Sequence, residues 1–305
     1  MGRVLANASP AARAVFEAAD AALGEPLSRL AWDGPEDQLN RTEQAQPALL
    51  ATSIAFFEAM HERTAATGAE PPAPAFMAGH SMGQYSALVA AGVVSLGDGI
   101  RLVRERGRQM QSSGSGRDGA MAAVLGLDEA AIPELVSKAS AHGVFGVANR
   151  NAPGQVVVSG ERAAIDAAAD LAKALGAKRA IVLPVSVAAH SPLMAEAAEG
   201  MRAVIADVAF ADPAIPLLAN AAARPLATGD ACRAELIDHL TAGVDWVRAV
   251  ESMAAAGVTT FLEVGPGRVL SGLIKRIAPD AEAVPLDDPA AADRLAVPFA
   301  SPTPA

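Results

Sequence analysis

The sequence predicts an α/β fold in which a small domain interrupts a larger one. A short apolar strand at 75–78 leads into the turn sequence GHSMG at 79–83, and a helix rich in small residues follows. From residue 121 to 185 the pattern is βαββαβ, the order of a ferredoxin-like domain, and strands and helices alternate again after His190. The predicted boundaries are 1–117 and 186–286 for the large domain, 118–185 for the small domain and 287–305 for a flexible tail.

Apolar periodicity and the positions of Gly and Pro assign the individual elements. In the large domain they predict helices at 8–30, 47–65, 84–91, 97–111, 190–208 and, for the most part, 231–256, strands at 216–220 and 259–265, and a last helix after GPGR. In the small domain they predict strands at 121–127, 144–150, 155–160 and 177–185, with helices at 128–141 and 161–175. The stretch 112–119, SSGSGRDG, has the composition of a linker between the two domains.

Composition and charge exclude several classes of function. Hydrophobic residues make up 51% of the chain and charged residues 19%, which is typical of a globular protein. A net charge of -10 argues against a nucleic-acid partner, and the single cysteine, Cys232, can form neither an internal disulfide nor a paired-cysteine metal site. Neither a signal peptide nor a run of about 20 apolar residues is present, so the sequence predicts no membrane span and a cytoplasmic location.

The sequence GHSMG places Ser81 as a candidate nucleophile. A sharp turn between a strand and a helix lifts a serine hydroxyl above the sheet, and Gly79 and Gly83 would avoid side-chain clashes in such a turn. The N–H of Met82, at the start of the helix, would face the oxyanion of an acyl-transfer reaction. The alternative is a chance pentapeptide in a chain rich in glycine and serine.

His190 is the best candidate for the base that a serine nucleophile needs. It lies between a predicted strand and a helix that starts at a proline, where a side chain can face a cleft. His61 and His239 fall on predicted polar helix faces, His142 falls in a connection, and the ring of His80 would point away from the hydroxyl of its neighbour. By position alone, a surface or capping role for His190 is equally consistent with the sequence.

Five segments together resemble the malonyl-CoA:acyl carrier protein transacylase family. They cover almost the whole chain in the family's order: TEQAQPALLATS (42–53), AGHSMGQYSALVAAGVVSLGDGIRLVRERGRQMQ (78–111), NRNAPGQVVVSG (149–160), AKRAIVLPVSVAAHSPLM (177–194) and FLEVGPGRVLSGLIKR (261–276). The resemblance implies a hydrolase-like parallel-sheet domain with an inserted ferredoxin-like domain. This agrees with the element order predicted above.

The resemblance also implies roles for particular residues. Ser81 would be the nucleophile, His190 the base, and Arg106 the partner of the free carboxylate of malonyl, since an arginine fork matches a carboxylate at two points. The backbone at Asp245 would orient the histidine. Gln46, Asn151 and Gln155 match family positions that line the cleft.

The chain departs from the family pattern at two places. Gln84 stands where the family often has glutamate. The family also begins with an apolar strand and a GQGSQ-type loop, whose glutamine N–H completes the oxyanion hole, whereas this sequence starts at MGR. The resemblance therefore implies that this strand and this donor are missing.

The function implied is two-step transfer of malonyl from CoA to the phosphopantetheine thiol of acyl carrier protein, in fatty acid or polyketide synthesis. Its partners would be the carrier protein and a CoA thioester, with no metal or redox cofactor, and we expect a monomer. One alternative is a serine esterase or thioesterase, with an acidic partner for the histidine and water as the acceptor. Another is a truncated, inactive homologue that only binds carrier protein or CoA.

Overall fold

The structure is a computed structural model that describes residues 1–66, 68, 73–114, 118–185 and 187–288. Its helices are α1 (Arg3–Ala8), α2 (Pro10–Leu23), α3 (Leu27–Asp33), α4 (Glu36–Leu39), α5 (Thr42–Ala66), α6 (Gly83–Ala90), α7 (Leu96–Gly114), α8 (Ile132–Ala139), α9 (Arg162–Ala174), α10 (Ala195–Ala206), α11 (Gly229–Ala242), α12 (Trp246–Ala255) and α13 (Val269–Ile277). Its strands are β1 (Gly119–Leu125), β2 (Phe145–Ala152), β3 (Gln155–Glu161), β4 (Arg179–Val182), β5 (Leu217–Leu218), β6 (Pro225–Leu226), β7 (Val244–Asp245), β8 (Thr260–Val264) and β9 (Glu282–Leu286).

The small domain has the predicted βαββαβ order. Its sheet runs β4-β1-β3-β2 with antiparallel neighbours, and β7 of the large domain extends it in parallel beside β2. Helices α8 and α9 contribute apolar faces to a core of its own, which includes Leu135, Val158 and Ile165. The predicted domain limits at 117 and 186 fall on residues outside those that the structure describes, as does most of the predicted tail.

Several predicted helices have different bounds in the structure. The helix expected at 8–30 is divided between α2 and α3, because the backbone at Gly24 turns left-handed with φ 67° and ends α2. The helix expected at 231–256 is interrupted at Gly243, where φ is 87°, so that β7 separates α11 from α12. In the predicted linker at 112–119, the first three residues continue α7 and the last one begins β1.

The predicted parallel strands of the large domain are shorter than expected. Of the segment 75–78 only Met77 pairs, in a parallel bridge to Leu217 of β5. Pro216 accepts a hydrogen bond from Met77 N–H but has no N–H to continue the ladder. The longest parallel pair joins β8 to β9, a strand that the sequence analysis missed. The segment 75–78 and β5 nevertheless end side by side, since Ser81, which follows the first, donates its N–H to Asn220, which follows the second.

Two long helices of the large domain, α5 and α7, pack against each other. They cross closely at Gly107, where an added Cβ would lie 2.5 Å from the Cα of Glu43. Because only glycine allows this approach, α7 lies directly against the first turns of α5. Gln46 on α5 and Arg106 on α7 thereby become neighbours. Among the described residues, no helix has the length and apolar character needed to cross a membrane.

Candidate active site

Ser81 lies at the tip of a tight turn between Met77 and α6. Its φ is 53°, a left-handed conformation that is rare for a residue other than glycine and costs about 1–3 kcal/mol. The turn folds back so closely that a Cβ on Gly79 would lie 1.9 Å from the carbonyl carbon of Gly83, whereas a Cβ on Gly83 would meet no atom within 4 Å. Of the two glycines predicted to avoid clashes, only Gly79 does so by its missing side chain.

Asn220, which the sequence analysis did not identify, holds this turn. Its Oδ1 accepts a hydrogen bond from Ser81 N–H at 2.8 Å, and its Nδ2 donates to Gly79 O and to Gln84 Oε1, each at 3.0 Å. The sequence feature that could have indicated Asn220 is its place as a polar residue at the carboxyl end of the apolar strand PLLAN. Since the Ser81 N–H is bonded to Asn220, it is not free to bind an oxyanion. The Met82 N–H has no acceptor among the described residues and remains the available donor of the turn.

His190 faces the Ser81 hydroxyl across the site. Its Nε2 lies 2.8 Å from Ser81 Oγ, and its Nδ1 lies 2.7 Å from the backbone oxygen of His239. Because a carbonyl oxygen can only accept, Nδ1 carries the proton and Nε2 offers a lone pair to the serine. Burial, followed by the charge of Arg106, lowers the pKa of His190 to about 3. The ring is therefore neutral near pH 7, the form that accepts a proton.

The carbonyl that orients His190 belongs to His239, so the prediction that assigned this role to Asp245 is wrong. Asp245 instead caps α12, where its Oδ1 accepts a hydrogen bond from Arg248 N–H at 3.1 Å. The physical reason is the turn at Gly243, which carries the chain out of α11 and places Asp245 on the strand beside β2. His239 lies in the last turn of α11, and its carbonyl oxygen, which accepts a long bond from Gly243 N–H at 3.3 Å, has a second lone pair for His190. Its side chain is fully buried, and the expected polar surface position is also wrong.

Arg106 is a buried cation at the third side of the site. Only 2% of the residue is exposed; its Nη1 donates to Gln46 Oε1 at 2.7 Å and its Nη2 donates to Ser81 Oγ at 3.0 Å. Burial lowers the pKa of Arg106, but a guanidinium remains protonated in proteins. Among the residues that the structure describes, no carboxylate pairs with this charge. A buried cation without an anion is costly, and an anionic substrate would supply the missing partner.

Of the other residues predicted to line the cleft, Gln46 lies in the site and Asn151 lies beside it. Gln46 belongs to the site, because it holds Arg106 and is itself fixed by its Nε2 donating to Thr42 Oγ1 at 3.1 Å. Asn151 lies next to the turn, where its Oδ1 accepts from His80 Nε2 at 2.9 Å. The His80 ring is thus engaged by Asn151, and its Nε2 makes no hydrogen bond to Ser81.

Gln155 is engaged elsewhere. Its Oε1 accepts a hydrogen bond from Arg276, which also donates to the Pro153 carbonyl at 2.7 Å, so the pair fastens the β2–β3 hairpin to α13. It makes no hydrogen bond to Ser81, His190 or Arg106. Within the described ranges, no cluster of three or more His, Cys, Asp or Glu residues could hold a metal ion.

Comparison with known proteins gives the family that the five sequence segments resemble, and the matches cover almost the whole chain. The sequence profile of the acyl transferase domain matches residues 1–286. The chain is 43% identical to malonyl CoA-acyl carrier protein transacylase of Escherichia coli K12 over 287 residues, which are 94% of this chain and 91% of that protein. It is 41% identical over 290 residues to the Bacillus subtilis transacylase, covering 95% of this chain and 89% of that one.

Solved structures of related transacylases also match nearly the whole chain. The acyl-carrier-protein-S-malonyltransferase of Bartonella henselae superposes with a TM-score of 0.91 at 40% identity, covering 96% of this chain and 93% of that one. A malonyl-transacylase solved in complex with a type II PKS acyl-carrier protein gives a TM-score of 0.90 at 40% identity, with coverage of 96% and 93%. The predicted α/β class is confirmed by these neighbours. By sequence and by fold, the chain belongs to the malonyl-CoA:acyl carrier protein transacylase family.

Proposed function

We propose that this protein transfers a malonyl group from malonyl-CoA to the phosphopantetheine thiol of an acyl carrier protein, through an ester on Ser81. The observation that carries the proposal is Arg106, a buried cation without a described carboxylate partner, whose Nη2 lies 3.0 Å from Ser81 Oγ. The carboxylate at the end of a malonyl group would pair with the guanidinium of Arg106. An acetyl or longer alkyl acyl group has no carboxylate and would leave this charge unpaired.

The first half-reaction forms the ester. The lone pair on His190 Nε2 takes the Ser81 hydroxyl proton while Ser81 Oγ attacks the thioester carbonyl, a transfer that the 2.8 Å contact allows directly. The negative charge moves to the former carbonyl oxygen, where the Met82 N–H would stabilise it. When the carbonyl re-forms, the C–S bond breaks and the CoA sulfur leaves with the proton from His190.

The second half-reaction runs the same steps with a different thiol. His190 takes the proton of the phosphopantetheine thiol, the sulfur attacks the malonyl ester, and Ser81 leaves with that proton. The name of one solved relative, a malonyl-transacylase in complex with an acyl-carrier protein, supports a carrier protein as the acceptor here. One relative is named a polyketide biosynthesis protein, and fatty acid or polyketide synthesis would each supply such a partner.

A serine esterase is the alternative enzyme class, and the geometry favours transfer. The esterase hypothesis required an acidic partner for the histidine, whereas the partner of His190 Nδ1 is the backbone oxygen of His239. The decisive assay follows isolated malonyl-enzyme after addition of phosphopantetheinylated carrier protein or of buffer alone. We expect rapid transfer to the carrier protein and slow loss to water. Equal rates of loss would identify a hydrolase, and absence of any acyl-enzyme would support the inactive binding homologue.

A further inference from the structure

Asn220 lies between three parts of the nucleophile turn. Its amide oxygen binds the N–H of Ser81 itself, while its amide nitrogen binds the carbonyl two residues earlier, at Gly79, and the side chain three residues later, at Gln84. Both amide hydrogens and the amide oxygen are therefore used. Since only 4% of Asn220 is exposed, water offers no ready replacement for these bonds.

The position of Asn220 is itself fixed from its backbone. Its N–H donates to Glu235 Oε1 at 2.5 Å, and its carbonyl accepts from Asp245 N–H at 2.8 Å. Gln84, which is fully buried, donates from Nε2 to Leu218 O at 3.0 Å and so closes a ring back to the strand before Asn220. A glutamate at position 84 would accept from Asn220 but could not donate to Leu218 unless it were protonated.

We propose that Asn220 is a positioning residue, whose side-chain amide holds the left-handed Ser81 turn so that Oγ faces His190 Nε2. The inference deepens the proposed function and rests on it for the identity of the acyl donor. A left-handed serine persists only where its surroundings hold it there, and Asn220 provides three of the bonds that do so. Displacement of a reacting atom by about 1 Å can reduce a rate by about 10²-fold.

The test compares Asn220→Asp with Asn220→Leu in single-turnover acylation by malonyl-CoA, normalised to folded protein and to the wild type at each pH. At pH about 8 both variants should acylate about 10²-fold more slowly, with KM unchanged because Arg106 and Gln46 are untouched. As the pH falls to about 5.5, the Asp variant should recover, since a protonated carboxyl regains a donor for Gly79 O or Gln84 Oε1. The Leu variant has no such donor and should not recover.

Leu135→Ala is the control for lost stability, because Leu135 is buried in the separate core of the small domain. It should lower the melting temperature without changing the acylation rate of folded protein. The proposal is overturned if Asn220→Asp acylates within about twofold of the wild type at pH about 8, or if Asp and Leu lose the same factor at both pH values. Should neither variant fold, Gln84→Ala removes one of the three bonds, and an unchanged rate there would overturn the proposal equally.

Labelling of Ser81 by an aryl sulfonyl fluoride separates this inference from the proposed function. The reagent needs an activated serine but no malonyl group, so it reports on the turn whichever acyl donor the enzyme uses. Slower labelling in Asn220→Asp, with recovery at low pH, supports the positioning role even if malonyl-CoA gives no adduct. Labelling at the wild-type rate in all variants contradicts it.

Discussion

Replacing Arg106 by methionine should convert a malonyl-selective site into one that no longer prefers a carboxylated acyl group. Arg106 is 2% exposed, and its Nη2 lies 3.0 Å from Ser81 Oγ, so the malonyl carboxylate would be paired in a site with little water. Leaving a buried charge unpaired costs about 2–5 kcal/mol. At about 1.4 kcal/mol per factor of ten, the ratio of kcat/KM for malonyl-CoA to that for acetyl-CoA should fall by about 30- to 4,000-fold.

Arg104→Met is the matched control for this substitution. Arg104 lies on the same helix and is also buried, but it pairs with Glu25 and donates to Gln44 Oε1 at 2.9 Å. The Arg104→Met substitution should lower the stability of the protein and leave the ratio of malonyl-CoA to acetyl-CoA acylation unchanged. The assay is acylation of each variant by the two CoA thioesters in competition, read by intact mass. A ratio that stays at the wild-type value in Arg106→Met, or that falls equally in Arg104→Met, would show that Arg106 does not bind the malonyl carboxylate.

The other predictions concern titratable groups around the site. His190→Ala should slow acylation by about 10²–10⁴-fold, while His61→Ala should not, as single-turnover rates would show. Because the pKa of His190 is lowered from 6.5 to about 3, the acylation rate of Glu235→Gln, which lacks the carboxyl that titrates near 7, should show no inflection near pH 6.5; such an inflection would mean that another group is the base. Burial raises the pKa of Glu235 from 4.5 to about 7, so its contribution to stability is present below pH 4.5 and is lost as the pH rises through 7. Thermal melts should therefore show Glu235→Gln gaining stability over the wild type from pH about 5 to 8, and a constant difference would contradict this.

Much of the site could be predicted from the sequence because local patterns encode it. A strand, GHSMG and a helix fix the place of Ser81, and the order of elements fixes the small domain. The neighbours of Ser81 come from distant parts of the chain: Asn220 lies 139 positions away and His190 lies 109 away. No local periodicity indicates such contacts. Position alone made His190 a candidate base without excluding a surface role, and Arg106 received a role only through the resemblance to a family.

The carbonyl that orients His190 shows why part of the site could not be predicted from the sequence. Whether His239 or Asp245 faces His190 depends on where α11 ends, and that depends on the backbone angle at Gly243. A boundary error of a few residues changes which carbonyl is available. The short strands have a similar cause, because pairing depends on neighbours that a strand's own residues do not specify.

The proposed transfer requires a malonyl ester on Ser81, which mass spectrometry would detect after the protein is mixed with malonyl-CoA. We expect one malonyl group on the intact wild-type chain, carried by the peptide that contains Ser81, and none on Ser81→Ala. A malonyl group on any other residue, or an adduct that survives in Ser81→Ala, would contradict it.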